Sequence, residues 1–154
     1  MTTNKDLLIL HHLRSNSRQA LTKISRKTGI PVSTIFDRIQ NNLNNLIRKN
    51  TTLINYEQLG YQARIQALLK ISAEHRENAK DYFSKHPSIN NAFRINNGYQ
   101  YIIEAILKDL PAVEHFLEEL EHNVVITDKK VFYIIENIKE EAFLTDDEQT
   151  LKHF

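Results

Sequence analysis

Residues 6–43 read DLLILHHLRSNSRQALTKISRKTGIPVSTIFDRIQNNL, and the fold turns on how this run divides. Leu7, Leu10 and Leu13, with Ile9, return at spacings of three and four, which predicts a helix over Asp6–Leu13. Ser15-Asn16-Ser17 interrupts the stripe, and Ser17 is suited to cap a second helix over Arg18–Thr28. In that segment Ala20, Leu21 and Ile24 share one side while Lys23, Arg26 and Lys27 share the other. Gly29 follows where a C′ glycine belongs. A third helix is expected from Val32-Ser33 to about Ile47. Rotation by about 100° per residue gathers Val32, Ile35, Phe36, Ile39, Leu43 and Leu46 on one face. The opposite face carries Ser33, Thr34, Asp37, Asn41 and Asn44, with Arg38 and Gln40 at its edges.

Helix, short helix, glycine turn and a helix with a polar outer face make a helix-turn-helix. A three-helix bundle that never meets DNA would share the apolar pattern, so charge carries the distinction. The net charge of +1 conceals an asymmetry. Residues 1–50 hold nine Lys and Arg against Asp6 and Asp37 alone, whereas the remainder holds eleven basic and seventeen acidic residues. A basic half joined to an acidic half implies that the first meets a polyanion; the alternative is a solvated basic face without a partner. Hydroxyls and amides such as Ser33, Thr34 and Asn41 suit base edges, and Arg38, Arg48 and Lys49 suit phosphates.

The same run resembles the N-terminal domain of the Lrp/AsnC (leucine-responsive, feast/famine) regulators. The resemblance lies in Asp6, Leu10 and Leu13, in Leu21-Thr22-Lys23-Ile24-Ser25, and in Ser33-Thr34-Ile35 with Arg38-Ile39. It implies that the third helix reads DNA, with Ser33, Thr34, Asp37, Arg38 and Asn41 at the reading positions. It also implies a short wing and linker next, here Arg48-Lys49-Asn50-Thr51-Thr52. Two departures stand out. Asp37 puts an acid on the reading face, where it either accepts from a cytosine amine or repels the backbone. Gln40, Asn41, Asn42, Asn44 and Asn45 replace the basic residues the family often carries after Arg38, which implies a shallower salt dependence.

After Gly60 the period changes to two. Tyr61, Ala63, Ile65, Ala67, Leu69 and Ile71 alternate with polar residues, a half-buried strand. A helix over Glu74–Phe83, a strand over Ile89–Ile95, an Asn96-Asn97-Gly98 turn and a strand from Tyr99 to Leu107 follow. Asp109 is suited to cap a helix through Val113, Phe116, Leu117 and Leu120, with Pro111 in its first turn. Val124–Ile126 and Val131–Ile138 supply the last strand. The order β-α-β-β-α-β is the ferredoxin-like split βαβ, whose second sheet face needs a cover, most economically a second subunit. This half resembles the effector and oligomerisation (ACT-like, RAM) domain of the same family. There, small ligands such as amino acids bind near a turn reading Thr-Gly-x-Tyr-Asp-Tyr. The matching residues are Asn97, Gly98, Tyr99, Gln100 and Tyr101, with Gln100 replacing the aspartate and giving up the charge that would meet an ammonium group. The other reading is a hairpin whose tyrosines pack at an oligomer interface.

These readings give an α+β chain: a winged helix-turn-helix domain at 1–55, a ferredoxin-like dimerisation and effector domain at 56–140, and an acidic tail at 141–154. That tail is either disordered or docked through Phe143 and Leu144 on a neighbouring subunit. The absence of cysteine excludes disulfides, thiolate metal sites and cysteine nucleophiles. The seven histidines lack ligand spacing, so surface or capping roles and no metal are expected. No phosphate-binding glycine loop or nucleophile elbow occurs. The expected protein is a cytoplasmic, nucleoid-associated transcription regulator, not an enzyme and without a cofactor or membrane partner. Its partners would be a pseudo-palindromic DNA duplex, further copies of itself and a small effector. A non-specific architectural nucleic-acid binder and a small-molecule binding module are the alternatives.

Overall fold

The computed structural model describes residues 3–145. It separates into two compact units: residues up to Leu53 joined by the segment from Ile138 onward, and Ile54–Asn137. The divisions fall slightly ahead of the expected 55/56 and 140/141.

The first unit begins with helix α1, Asn4–Ser15. Its N-terminus is a capping box: Thr3 Oγ1 accepts from the Asp6 N–H, and the Asp6 carboxylate accepts from the Thr3 N–H at 2.8 Å. Two of the donors that a helix start leaves free are satisfied in this way. Helix α2, Leu21–Thr28, starts three residues later than expected. Ser17 does not cap it; Ala20 stands at that position without a side-chain bond, while Asn16 Oδ1 accepts from the Arg18 N–H and turns the chain ahead of it. Gly29 ends α2 with φ 71°, as the sequence required.

Helix α3 keeps α geometry only over Val32–Arg38, then widens into a π turn at Ile39–Leu43. It does not reach Ile47 as a regular helix. The asparagines at 41, 42, 44 and 45 compete locally for backbone bonds and are weak helix formers, which accounts for the loosening. Ile9, Ile24, Ile30, Ile35 and Leu43 form the core. Of the apolar face expected on α3, however, Val32, Phe36 and Leu46 stand exposed, Phe36 at 53 %. A seven-residue helix followed by a wider turn cannot hold one straight stripe against its neighbours. Residues 48–52, where the wing was expected, carry no strand.

The C-terminal segment of this unit returns to α1. Arg14 Nη2 donates to the Glu141 carbonyl at 2.7 Å and its Nε to the Phe143 carbonyl at 3.0 Å. His11 Nδ1 donates to the Leu144 carbonyl at 3.0 Å. The tail thus docks on its own chain through Glu141, Phe143 and Leu144; residues 146–154 lie outside the described residues. His11 and His12 are buried, not the surface histidines expected.

The second unit is the expected ferredoxin-like sheet. Strands β1 (Ala63–Lys70), β2 (Ile89–Arg94), β3 (Tyr101–Leu107) and β4 (Asp128–Tyr133) pair antiparallel in the order β2-β3-β1-β4. Helices α4 (Arg76–Lys85) and α5 (Leu110–Asn123) follow β1 and β3. Asp109 caps α5 by accepting from the Ala112 N–H at 2.8 Å. Strict alternation along β1 sends Ala63, Ile65, Ala67 and Leu69 into a core shared with Ile103, Phe83, Val113, Phe116 and Leu120. The last strand begins between the two expected segments, at Asp128, and ends at Tyr133, because its register with β1 runs from Lys70↔Asp128 to Ile65↔Tyr133. Ile135 and Ile138 therefore stay exposed, and Val124–Ile126 is not a strand.

Candidate functional site

The polar surface of the first unit is built on α3 and the π turn behind it. Ser33, Asp37, Gln40 and Asn41 are exposed and Thr34 is half-buried. Pro31 precedes the helix and offers its first turn no side-chain cap. Lys23, Arg26 and Lys27 on α2 are exposed, and so are Arg48 and Lys49 in the extended segment beyond. Ser33, Thr34, Asp37, Gln40 and Asn41 thus lie along one continuous element, while Arg48 and Lys49 follow it without regular structure.

Arg38 stands apart from this group. Its Nη1 donates to Asp6 Oδ1 and to Thr3 Oγ1, each at 2.8 Å, tying α3 to the capping box of α1. Asp6 is only 1 % exposed. Burial pushes its carboxyl upward, but bonds from the Thr3 backbone, Arg38 and the Thr3 hydroxyl prevail and hold it below the usual carboxylate range. Arg38 therefore acts here, through Nη1, as the internal counter-ion of a buried carboxylate. Sequence reasoning saw Asp6 only as part of a helix. The signal was present in the Thr3-x-x-Asp6 spacing, but nothing local pointed to a partner so far along the chain.

In the second unit the β2–β3 turn forms as expected. Asn97 and Gly98 both take positive φ, 69° and 95°, as a tight hairpin twist demands. The hairpin residues then diverge. Tyr99 Oη donates to Asp128 Oδ2 at 2.8 Å, and Lys130 Nζ lies 5.5 Å from the Tyr99 ring centre. The bond to Asp128 pushes the Tyr99 phenol above its ordinary range. Gln100 spends its side-chain carbonyl on the Ile71 N–H at 2.7 Å. Tyr101 turns into the core against Phe83, ring centres 5.4 Å apart. Asp128 is thus a carboxylate beside the turn, brought there by the β1–β4 register and missed from the sequence. Among the described residues no group of His, Asp or Glu is arranged to hold a metal ion.

The uncovered face of the sheet carries Leu68, Ile102, Ile106, Phe93 and Phe132, placed together by the pairs Leu68↔Ile102, Phe93↔Ile102 and Arg64↔Ile106. Within it sits a buried carboxylate, Glu104, which accepts from Arg64 Nε and from Asn91 Nδ2 at 2.6 Å. Arg64 Nη1 also donates to Asn137 Oδ1 at 2.9 Å.

Comparison with known proteins bears on both units. The sequence model for the Lrp/AsnC ligand binding domain matches residues 65–143, just over half the chain. The transcriptional regulator AzlB of Bacillus subtilis is 23 % identical over 121 residues, covering 76 % of this chain and 77 % of AzlB. An HTH-type transcriptional regulator of Pyrococcus horikoshii is 27 % identical over 114 residues, covering 73 % and 76 %. The crystal structure of a Neisseria meningitidis transcriptional regulator in complex with L-Met superposes with a TM-score of 0.83 at 20 % identity, covering 91 % of this chain and 94 % of that one. The structural likeness establishes the fold in both units.

Proposed function

This chain belongs to the Lrp/AsnC family, and from that premise we propose that it regulates transcription by reading a pseudo-palindromic DNA duplex as a dimer or an assembly of dimers. The observation that carries the reading is the exposed polar surface of α3 and its π turn, Ser33, Asp37, Gln40 and Asn41, in a unit that also exposes Lys23, Arg26, Lys27, Arg48 and Lys49. Ser33, Thr34 and Asn41 contact base edges, and the lysines and arginines contact phosphates. Arg38 supports the helix from within. The role is non-catalytic, and the protein works with the nucleoid in the cytoplasm; no helix among the described residues is long and apolar enough to cross a membrane.

A second copy covers the sheet face of Leu68, Ile102, Ile106 and Phe132. A small effector is read near Asn97, Gly98, Tyr99 and Gln100, where Asp128 supplies the carboxylate that position 100 lacks and so meets an ammonium group. L-Met is the ligand in the Neisseria complex, which makes an amino acid the first effector to try. Selection of bound duplexes from a randomised pool, followed by sequencing, tests the DNA reading. A recovered motif with half-sites about one helical turn apart supports a dimeric reader. Salt-sensitive binding without a motif would make the protein an architectural binder instead.

A further inference from the structure

Helix α4 overhangs the edge strand β2 and leaves a cleft of about 420 Å³ between them. Its apolar lining includes Phe83, Ile89, Ala92 and Phe93, and Lys80 and Arg94 stand at it. Tyr101 also lines the cleft; it is 97 % buried, and its hydroxyl has no hydrogen-bond partner. A buried unpaired hydroxyl costs about 1–3 kcal/mol and calls for an explanation. The charges around the cleft are one-sided. No Asp or Glu lines it. Asp81, one residue along α4, is held by Lys85. Lys80 pairs with Glu77 on the exposed side of the helix at 2.6 Å, and such surface pairs are worth little, so its ammonium is free to turn inward. Arg94 has no side-chain partner within the chain among the described residues.

We propose that this cleft binds a small organic monocarboxylate with an aliphatic chain. The carboxylate accepts from the Arg94 guanidinium and the Lys80 ammonium, the Tyr101 hydroxyl donates to it, and the chain lies on Phe83 and Ile89. With two cations and no acid in its lining, the site offers an α-ammonium group no opposite charge, so a zwitterionic amino acid is disfavoured where the same skeleton without its amine is accepted. The site shares only Tyr101 with the hairpin residues and does not depend on the DNA reading.

The test is amide chemical-shift mapping on the full chain with three probes of one skeleton: 4-methylpentanoate, leucine and 4-methylpentan-1-ol. The carboxylate is expected to give saturable shifts on α4 and β2, centred on Lys80 and Arg94, with leucine and the alcohol at least tenfold weaker, about 1.4 kcal/mol. Arg94→Gln, at an exposed position, should lower carboxylate affinity about tenfold, the loss of one charge-assisted bond. Tyr101→Phe should weaken binding while leaving Tm unchanged or raised, because the hydroxyl it removes is unpaired without ligand. No saturable shift up to about 10 mM carboxylate, where a Kd of ~1 mM would be nearly saturated, would overturn the proposal. So would shifts confined to Tyr99 and Asp128, or an equal response to the alcohol.

Discussion

Asp6 shows how one residue couples local chemistry to a tertiary fold. It closes the cap of α1 and also receives Arg38 from α3, at 1 % exposure. Removing a single partner from a buried pair leaves an uncompensated charge, so Arg38→Ala should destabilise the first unit by about 3 kcal/mol in thermal or urea unfolding. Any loss of DNA affinity in that variant should track the loss of folded protein. The sign of the pH dependence follows from the depressed carboxyl. Because Asp6 releases its proton more readily folded than unfolded, its contribution is complete above the ordinary carboxylate range and disappears as pH falls through the lower folded value. Unfolding midpoints should therefore fall below about pH 4, and less steeply in Asp6→Asn. A wild-type midpoint that is flat in acid would contradict this pairing.

The returning segment is an element in its own right. Glu141 and Leu144 hold positive φ, 47° and 63°, a strain of about 1 kcal/mol or more for each. Arg14 and His11 hold their carbonyls in that shape. Arg14→Ala should speed amide exchange at residues 141–144 severalfold while costing only about 1 kcal/mol in stability, since the ion pair itself is partly exposed. Unchanged exchange would mean the segment is held by other contacts. The legibility of the elements follows the range of their causes. Period-two alternation in β1, the Asn97-Gly98 turn and the Asp109 cap are written in adjacent residues, and each formed where it was read. The burial of His11, the role of Arg38 and the start of β4 depend on partners far along the chain. The shortening of α3 lay between these extremes: its asparagines were visible, but the apolar stripe outweighed them in the reading.

At the scale of the whole molecule, the basic N-terminal residues share one compact unit with the C-terminal segment from Ile138, and Ile54–Asn137 form the other. The proposed reading face was legible as a set of residue types expected on one helix, and five of them, Ser33, Asp37, Gln40, Asn41 and Asn44, are exposed. The open sheet face was legible only as a topological need. Its buried Glu104, bonded to Arg64 and Asn91, emerged from strand register alone. If a second copy covers this face, Ile102→Glu sets a charge at its centre and should convert the assembly to monomers in sedimentation velocity. A sedimentation coefficient unchanged from wild type would place the interface elsewhere.

The measurement that bears most directly on the DNA reading is anisotropy titration of the selected duplex against a random one, at two salt concentrations, for wild type, Asn41→Ala and Lys49→Ala. Asn41→Ala should relax sequence preference by about 1–3 kcal/mol with an unchanged salt slope, and Lys49→Ala should weaken both duplexes alike and flatten the slope by about one. Equal affinity of Asn41→Ala and wild type for both duplexes, at both salt concentrations, would contradict a sequence-reading third helix.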